Sequence, residues 1–237
     1  MHCATETSDS AWRPRSVRIT ELLDPAPEPA DTGPAQTPRR LLATVAALVV
    51  GAALLAATLR VKDGSLWFDL LGLLVAATWL IGARVSGPMR LRPIRPSPQL
   101  AALCALGIAG LSFLGFLAAD LIGQHISFVS SALHGVLARA DTGSRVIVLV
   151  VALVNGLAEE AFFRGALYSE LSAHRPVLTS TIIYVVVTAA TGNVALIVAA
   201  AVMGVIFALE RRATGSILAS TITHVSWSTL MIFCLPR

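Results

Sequence analysis

Residues 146–164 read VIVLVVALVNGLAEEAFFR, an apolar stretch that ends in two adjacent carboxylates and an arginine. Charged side chains at membrane depth are costly and mark functional sites by default. On a helix, Glu160 and Arg164 share a face and can form an ion pair, whereas Glu159 points about 100° away, onto the face of Asn155. The segment therefore predicts a structural ion pair, Glu160–Arg164, and a candidate general base, Glu159. The simpler alternative is that both carboxylates end a helix at the interface while Arg164 extends toward the headgroups.

The composition of the whole chain indicates an integral membrane protein. Of its 237 residues, 55% are hydrophobic and 14% are charged, and the mean hydropathy is +0.75. Soluble domains carry about 25% charged residues. The net charge of +4 needs no nucleic acid as a partner, because basic residues in membrane loops lie beside anionic lipid. Membrane lipids are the predicted environment.

The apolar stretches predict an all-α bundle of seven or eight membrane helices. Each predicted span approaches the roughly 20 residues that a helix needs to cross the hydrocarbon core. The 33 uncharged residues from Val177 to Leu209 should break into two spans at Thr191-Gly192-Asn193. An eighth helix, His125 to Arg139, is the weakest of the set. The other five predicted spans are Leu41–Leu59, Leu66–Ala83, Leu100–Ala119, Val146 through Arg164, and Ser216–Leu235.

Residues 1–40 differ from the rest of the chain, which forms a transmembrane domain over 41–237. They contain six of the twelve prolines, six acidic residues and five arginines, without an apolar run. This composition predicts a disordered tail rather than a signal peptide. Arg39 and Arg40 precede the first span, so the distribution of basic residues predicts a cytoplasmic N-terminus in the cell membrane.

A polar stripe on the last span adds a second candidate group. Thr221, His224 and Ser228 recur at helical spacing on an otherwise apolar helix. A histidine within a membrane span either belongs to a functional site or bonds to a neighbouring helix. A further stripe contains Thr181, Tyr184, Thr188 and Thr191; here bonding of each hydroxyl to its own helix backbone is the simpler explanation.

These residues resemble the CAAX prenyl proteases and bacteriocin-processing enzymes, the CPBP family of multi-span intramembrane proteases related to Abi-like proteins. The family's E-E-x-x-x-R motif corresponds to Glu159-Glu160-Ala161-Phe162-Phe163-Arg164. Its F-x-x-x-H motif aligns on Tyr184 to Thr188, with Thr188 in place of histidine. Its H-x-x-x-N motif aligns on His224 to Ser228, with Ser228 in place of asparagine. The resemblance covers about residues 100–235, the predicted protease core.

The resemblance implies an endopeptidase in which Glu159 activates a water molecule within the membrane, aided by His224, Thr188 and Ser228. A threonine can orient water but cannot act as an acid or base near neutral pH, so position 188 departs most from the family. No cofactor is predicted. A divalent metal stays open, although Glu159, Glu160 and His224 alone make a poor zinc site. The implied substrate is a membrane-embedded or lipidated peptide.

Two other functions are compatible with the sequence. The two replaced motif positions favour a non-catalytic protein that binds a membrane peptide on the same scaffold, as an immunity factor would. Buried carboxylates and a histidine also occur in the proton relays of transporters. A proton-coupled transporter is the weaker alternative, because no pair of interrupted helices indicates an inverted repeat.

Overall fold

The computed structural model describes residues 37–62, 65–87, 89, 91, 94, 97–123, 145–171 and 175–235. Within these ranges the regular secondary structure is entirely helical. The first helices are α1 (Pro38–Thr58), α2 (Leu66–Ser86), α3 (Pro98–Gly123) and α4 (Arg145–Glu159); α4 continues as a π-helical segment, Glu160–Leu167, and a last turn, Tyr168–Glu170. The chain then forms α5 (Pro176–Ala189), α6 (Val194–Thr214) and α7 (Leu218–Cys234).

The predicted all-α membrane bundle is confirmed. Within the described ranges, five helices are long and apolar enough to cross a membrane: Pro38–Thr58, Leu66–Ser86, Pro98–Ile122, Val146–Glu170 and Val194–Thr214. The helices α5 and α7 are apolar but shorter, with 14 and 17 residues. At 1.5 Å per residue, α5 covers about 21 Å of the roughly 30 Å hydrocarbon core. The eighth predicted helix, His125 to Arg139, lies outside the described residues, as does most of the predicted tail.

The first span begins slightly earlier than predicted. Helix α1 starts at Pro38 and includes Arg39 and Arg40, which were assigned to the tail. Proline favours the first helical position because its fixed φ suits the helix and its missing N–H would lack an intrahelical partner there. The helix therefore takes in three of the predicted tail residues.

The break in the long apolar stretch after Val177 lies where the sequence predicts it. Helix α5 ends at Ala189 and α6 begins at Val194. Gly192 has a φ of +70°, which L side chains rarely adopt, and the side chain of Asn193 accepts a hydrogen bond from the Leu196 amide. Glycine supplies the turn and asparagine caps the next helix, so the chain reverses direction here.

An aromatic cluster fixes α2 against the π-helical segment. The ring of Trp79 lies 5.1 Å from that of Phe162 and 5.0 Å from that of Phe163, and all three side chains are buried. Helix α1 approaches the indole at Gly51, where an added Cβ would overlap the Trp79 ring. The cluster holds the π-helical segment in place because its rings are in mutual contact, with Phe163 packed edge to face against both Trp79 and Phe162.

The segment that contains the two carboxylates is the main local departure from prediction. The helix does continue through Arg164, but from Glu160 onward its bonding is π-helical rather than α-helical. In a π-helix the bonds reach five residues back, so the faces shift relative to a regular α-helix. Such segments are frequently found at functional sites. The change of helix type begins between Glu159 and Glu160.

Candidate functional site

Glu159 lies at the wall of a large, mostly apolar cavity. The cavity has a volume of about 350 Å³ and is bounded by residues of α1, α2, α3, α4, α6 and α7. Its polar lining includes Asn155, Glu159 and Ser228. Glu159 and Asn155 are one turn apart on α4, so both reach the cavity, as their shared helix face predicts. The site thus combines a carboxylate with a chamber suited to an apolar ligand.

Asn155 anchors this wall of the cavity to the neighbouring helix. Its side-chain amide donates to the Gly72 carbonyl of α2 at 3.0 Å and to the Val151 carbonyl of α4 at 2.9 Å. Both amide protons are therefore used, while the amide oxygen is buried without a hydrogen-bond partner among the described residues. An added Cβ at Gly72 would lie 2.7 Å from Cγ1 of Val151, so the missing side chain lets α4 approach α2 this closely. The contact fixes the helix turn that precedes Glu159.

Glu160 occupies a sealed environment on the other side of the helix. Its side chain is 0% exposed, and its Oε1 atom lies 3.4 Å from Nη1 of Arg164 and 3.2 Å from Nδ1 of His224. The predicted spacing thus brings Glu160 and Arg164 together. His224 contacts Glu160 rather than Glu159 directly, and a hydrogen bond at Nδ1 fixes the orientation of an imidazole ring.

Aromatic rings and a carbonyl enclose the remaining faces of this charge cluster. The Arg164 guanidinium lies 4.5 Å from the Tyr184 ring centre and 5.1 Å from that of Phe207. Its Nη2 atom donates to the Gly204 carbonyl at 3.3 Å. Phe207 stacks on His224 with 4.6 Å between ring centres. A guanidinium over aromatic faces is stabilised by their quadrupoles, so this arginine is held within the bundle and does not extend toward the headgroups.

Glu159 has its own partner on α5. The Tyr184 hydroxyl donates to Oε2 of Glu159 at 2.7 Å, the usual length of an O–H···O hydrogen bond. The two adjacent carboxylates therefore have separate partners: arginine and histidine for Glu160, and a phenol for Glu159. Sequence reasoning had left Glu159 unpaired. Tyr184 was visible as one member of a polar stripe and as the first position of the stretch aligned with the F-x-x-x-H motif.

The structure does not bring Thr188 into this group. Its hydroxyl donates to the Tyr184 carbonyl at 2.9 Å, one turn back on the same helix. Thr181 bonds in the same way to the Val177 carbonyl at 2.7 Å. Backbone bonding, the simpler explanation of this stripe, therefore holds for these two threonines. Thr188 is buried but does not line the cavity.

Ser228 does line the cavity, together with Trp227 and Met231 of α7. It lies one turn after His224, so α7 contributes the histidine to the sealed cluster and the serine to the open chamber. Helix α7 therefore contributes to both the cavity and the charge cluster. The adjacent residues Glu159 and Glu160 do the same, with Glu159 at the cavity and Glu160 in the cluster.

A buried carboxylate near the end of α6, Glu210, was missed. It is buried, and the Thr223 hydroxyl lies 2.5 Å from its Oε1 atom. The same hydroxyl lies 3.1 Å from the Ala105 carbonyl of α3. Glu210 is close to the basic residues at the end of α6, so in the sequence it resembles a loop charge. Among the described residues, no three His, Cys, Asp or Glu side chains are arranged to hold a metal ion.

Residues 141–230 match the family model of the Rce1-like proteins, described as type II CAAX prenyl endopeptidase Rce1-like. The matched region includes every residue that carried the resemblance: Glu159, Glu160, Arg164, Thr188, His224 and Ser228. The predicted similarity to the CAAX protease family is therefore confirmed for this region. No curated protein matches the chain, and no solved structure matches it.

Proposed function

We propose that the protein is an intramembrane endopeptidase in which Glu159 activates a water molecule for attack on a peptide carbonyl. One observation carries this assignment. Among the three carboxylates Glu159, Glu160 and Glu210, only Glu159 lines the cavity. A general base must reach the proton that it abstracts directly or through one water. Glu160 is sealed behind Arg164 and His224, so it cannot be the general base.

The reaction would proceed in two proton transfers. Glu159 takes a proton from the water, and the resulting hydroxide bonds to the carbonyl carbon of the substrate. The carbonyl oxygen then carries the negative charge, and the Ser228 hydroxyl, which lines the cavity, would donate a hydrogen bond to it. On collapse of this intermediate, the carbon–nitrogen bond breaks and Glu159 returns its proton to the departing amine. Glu160 and Phe207 hold His224, whose Nε2 atom has no hydrogen bond to any described residue.

The cavity supports an apolar substrate. Its lining is mostly aliphatic and aromatic, with few polar groups near Glu159. A membrane-embedded or lipidated peptide fits this chemistry, because its apolar part would be buried while its scissile bond reaches the carboxylate. The description of the matching family names prenyl endopeptidases, which agrees with a lipidated substrate.

A membrane peptide-binding protein is the second candidate. Thr188 in place of histidine and Ser228 in place of asparagine favour it, because a concerted site loses much of its rate when one group is missing. A proton-coupled transporter would also use a carboxylate facing a cavity.

Peptide turnover separates these candidates. Purified protein in detergent and in liposomes is given fluorescence-quenched peptides with apolar ends, with and without a farnesyl group. We expect cleavage by the wild type and none by Glu159→Gln. Asp69→Asn is the matched control, because it removes a carboxylate from the first turn of α2 that does not itself line the cavity. Peptide binding without cleavage in every variant would favour the binding protein, and proton-coupled uptake into vesicles would identify a transporter.

A further inference from the structure

Tyr184 is the exception in the polar stripe of α5. The hydroxyls of Thr181 and Thr188 donate to carbonyls of their own helix, whereas the phenol crosses to α4 and donates to Glu159. The 2.7 Å bond joins residues 25 positions apart in the chain. This bond connects α5 to Glu159, the carboxylate that faces the cavity.

The phenol ring is held on two sides. Its centre lies 4.9 Å from the Phe163 ring, at an interplanar angle of 66°, and the Arg164 guanidinium lies 4.5 Å from it. Arg164 is itself fixed by Glu160 and by the Gly204 carbonyl. The sealed ion pair therefore fixes the ring, and the ring fixes the direction of the hydroxyl. A donor held in this way loses little conformational entropy when it binds.

We infer that Tyr184 is a positioning residue of the site: it holds Glu159 in one orientation and leaves one carboxylate oxygen for the reacting water. This inference rests on the proposed function. The phenol occupies Oε2, and no described residue donates to Oε1, so a water in the cavity has one oxygen to approach. Tyr184 lies one turn before Thr188, so α5 supplies a donor to Glu159 although position 188 carries a threonine.

The expected signature is a change in rate with little change in substrate binding. Tyr184→Phe keeps the ring that packs on Phe163 and Arg164 but removes the donor. We expect kcat to fall about 10- to 100-fold, the equivalent of one hydrogen bond to a charged group, while KM changes less than about twofold. A residue with only a packing role would leave kcat unchanged, because its ring is retained.

The second tyrosine of the chain is the matched control. Tyr168 is buried, and its ring lies under the Arg211 guanidinium, away from the cavity. Tyr168→Phe removes the same atom from a comparable environment, so kcat should stay near the wild-type value. Tyr184→4-aminophenylalanine keeps the ring and a weaker donor, and its kcat should lie between those of the wild type and Tyr184→Phe. If Tyr184→Phe does not fold, the 4-aminophenylalanine variant alone is compared with the wild type.

A chemical readout that needs no turnover completes the test. Dicyclohexylcarbodiimide enters membranes and adds to carboxyl groups; the carboxyl oxygen bonds to its central carbon and the acid proton passes to its nitrogen. Removing the phenol uncovers Oε2, so Glu159 should be labelled several-fold faster in Tyr184→Phe than in the wild type. Mass spectrometry of the labelled peptides assigns the site. Labelling of Glu210, and of Glu159 in Tyr168→Phe, should not change.

The outcomes separate this inference from the proposed function. Unchanged kcat in Tyr184→Phe, in a protein that Glu159→Gln inactivates, would overturn the positioning role and leave the peptidase intact. Absence of cleavage in all variants would overturn the peptidase and with it the catalytic meaning of Tyr184. In that case the labelling rates would still report whether the Tyr184–Glu159 contact exists, and equal rates would show that it does not.

Discussion

Glu159 and Glu160 are neighbours in the chain but lie in opposite environments. Glu159 borders a cavity of about 350 Å³ and has a phenol as its partner, whereas Glu160 is 0% exposed between an arginine and a histidine. A helix turns by about 100° per residue, so adjacent side chains face different helices. The difference shows that geometry alone can place two identical adjacent residues in different environments, one at a cavity and one in a sealed charge cluster.

The largest effect is expected from replacing the carboxylate that faces the cavity. Glu159→Gln keeps the size of the side chain but removes the base, so peptide cleavage should fall by about 10²- to 10⁴-fold or become undetectable. Thermal stability should stay near that of the wild type, because the glutamine can still accept the Tyr184 hydrogen bond. Cleavage assays and melting curves on the same preparation test both statements. If Glu159→Gln keeps an activity close to that of the wild type, another residue is the general base.

Replacing the sealed carboxylate should instead affect folding. Glu160→Ala leaves Arg164 charged and buried at membrane depth, and breaking a buried ion pair costs about 3–5 kcal/mol. We expect a lower melting temperature and lower expression. The matched control is the double variant Glu160→Met with Arg164→Met, because apolar replacement of both partners is often nearly neutral. If Glu159→Gln and Glu160→Ala melt alike and below wild type, the contrast between the two carboxylates is wrong.

A smaller effect is expected on the α7 side of the cavity. Ser228→Ala removes the serine hydroxyl from the cavity lining, and we expect about a tenfold loss of kcat, less than the 10²–10³ of a well-aligned oxyanion donor. Its neighbour provides the control: the Thr229 hydroxyl bonds to the Val225 carbonyl at 2.7 Å, so Thr229→Ala should leave kcat unchanged. If kcat is equal in the wild type and in Ser228→Ala, the serine hydroxyl takes no part in the reaction.

The sequence was sufficient for the features that depend on local pattern. The break at Gly192 follows from an uncharged stretch too long for one span, and the Glu160–Arg164 contact follows from their spacing. The π-helical bonding from Glu160 onward was not predictable, because no local signal distinguishes it from an α-helix of the same residues. Contacts between helices could not be predicted from the sequence either. The partner of Glu159 depends on where α5 crosses α4, and that is set by packing of the whole bundle.

The smallest effect is expected at Thr188, where the sequence departs most from the family motif. The contrast between Thr188 and Tyr184, one turn apart on α5, is that only the tyrosine donates to Glu159. Thr188→Val keeps the shape of the side chain and removes only a bond to the Tyr184 carbonyl. Because that carbonyl lies within a helix and keeps its backbone bond, we expect kcat to change less than about twofold and stability by about 1 kcal/mol or less. Kinetics and melting of Thr188→Val beside Tyr184→Phe measure the difference directly. A loss of kcat in Thr188→Val as large as that in Tyr184→Phe would place the threonine hydroxyl in the reaction, as the family motif implied, and would show that the two residues act as a unit.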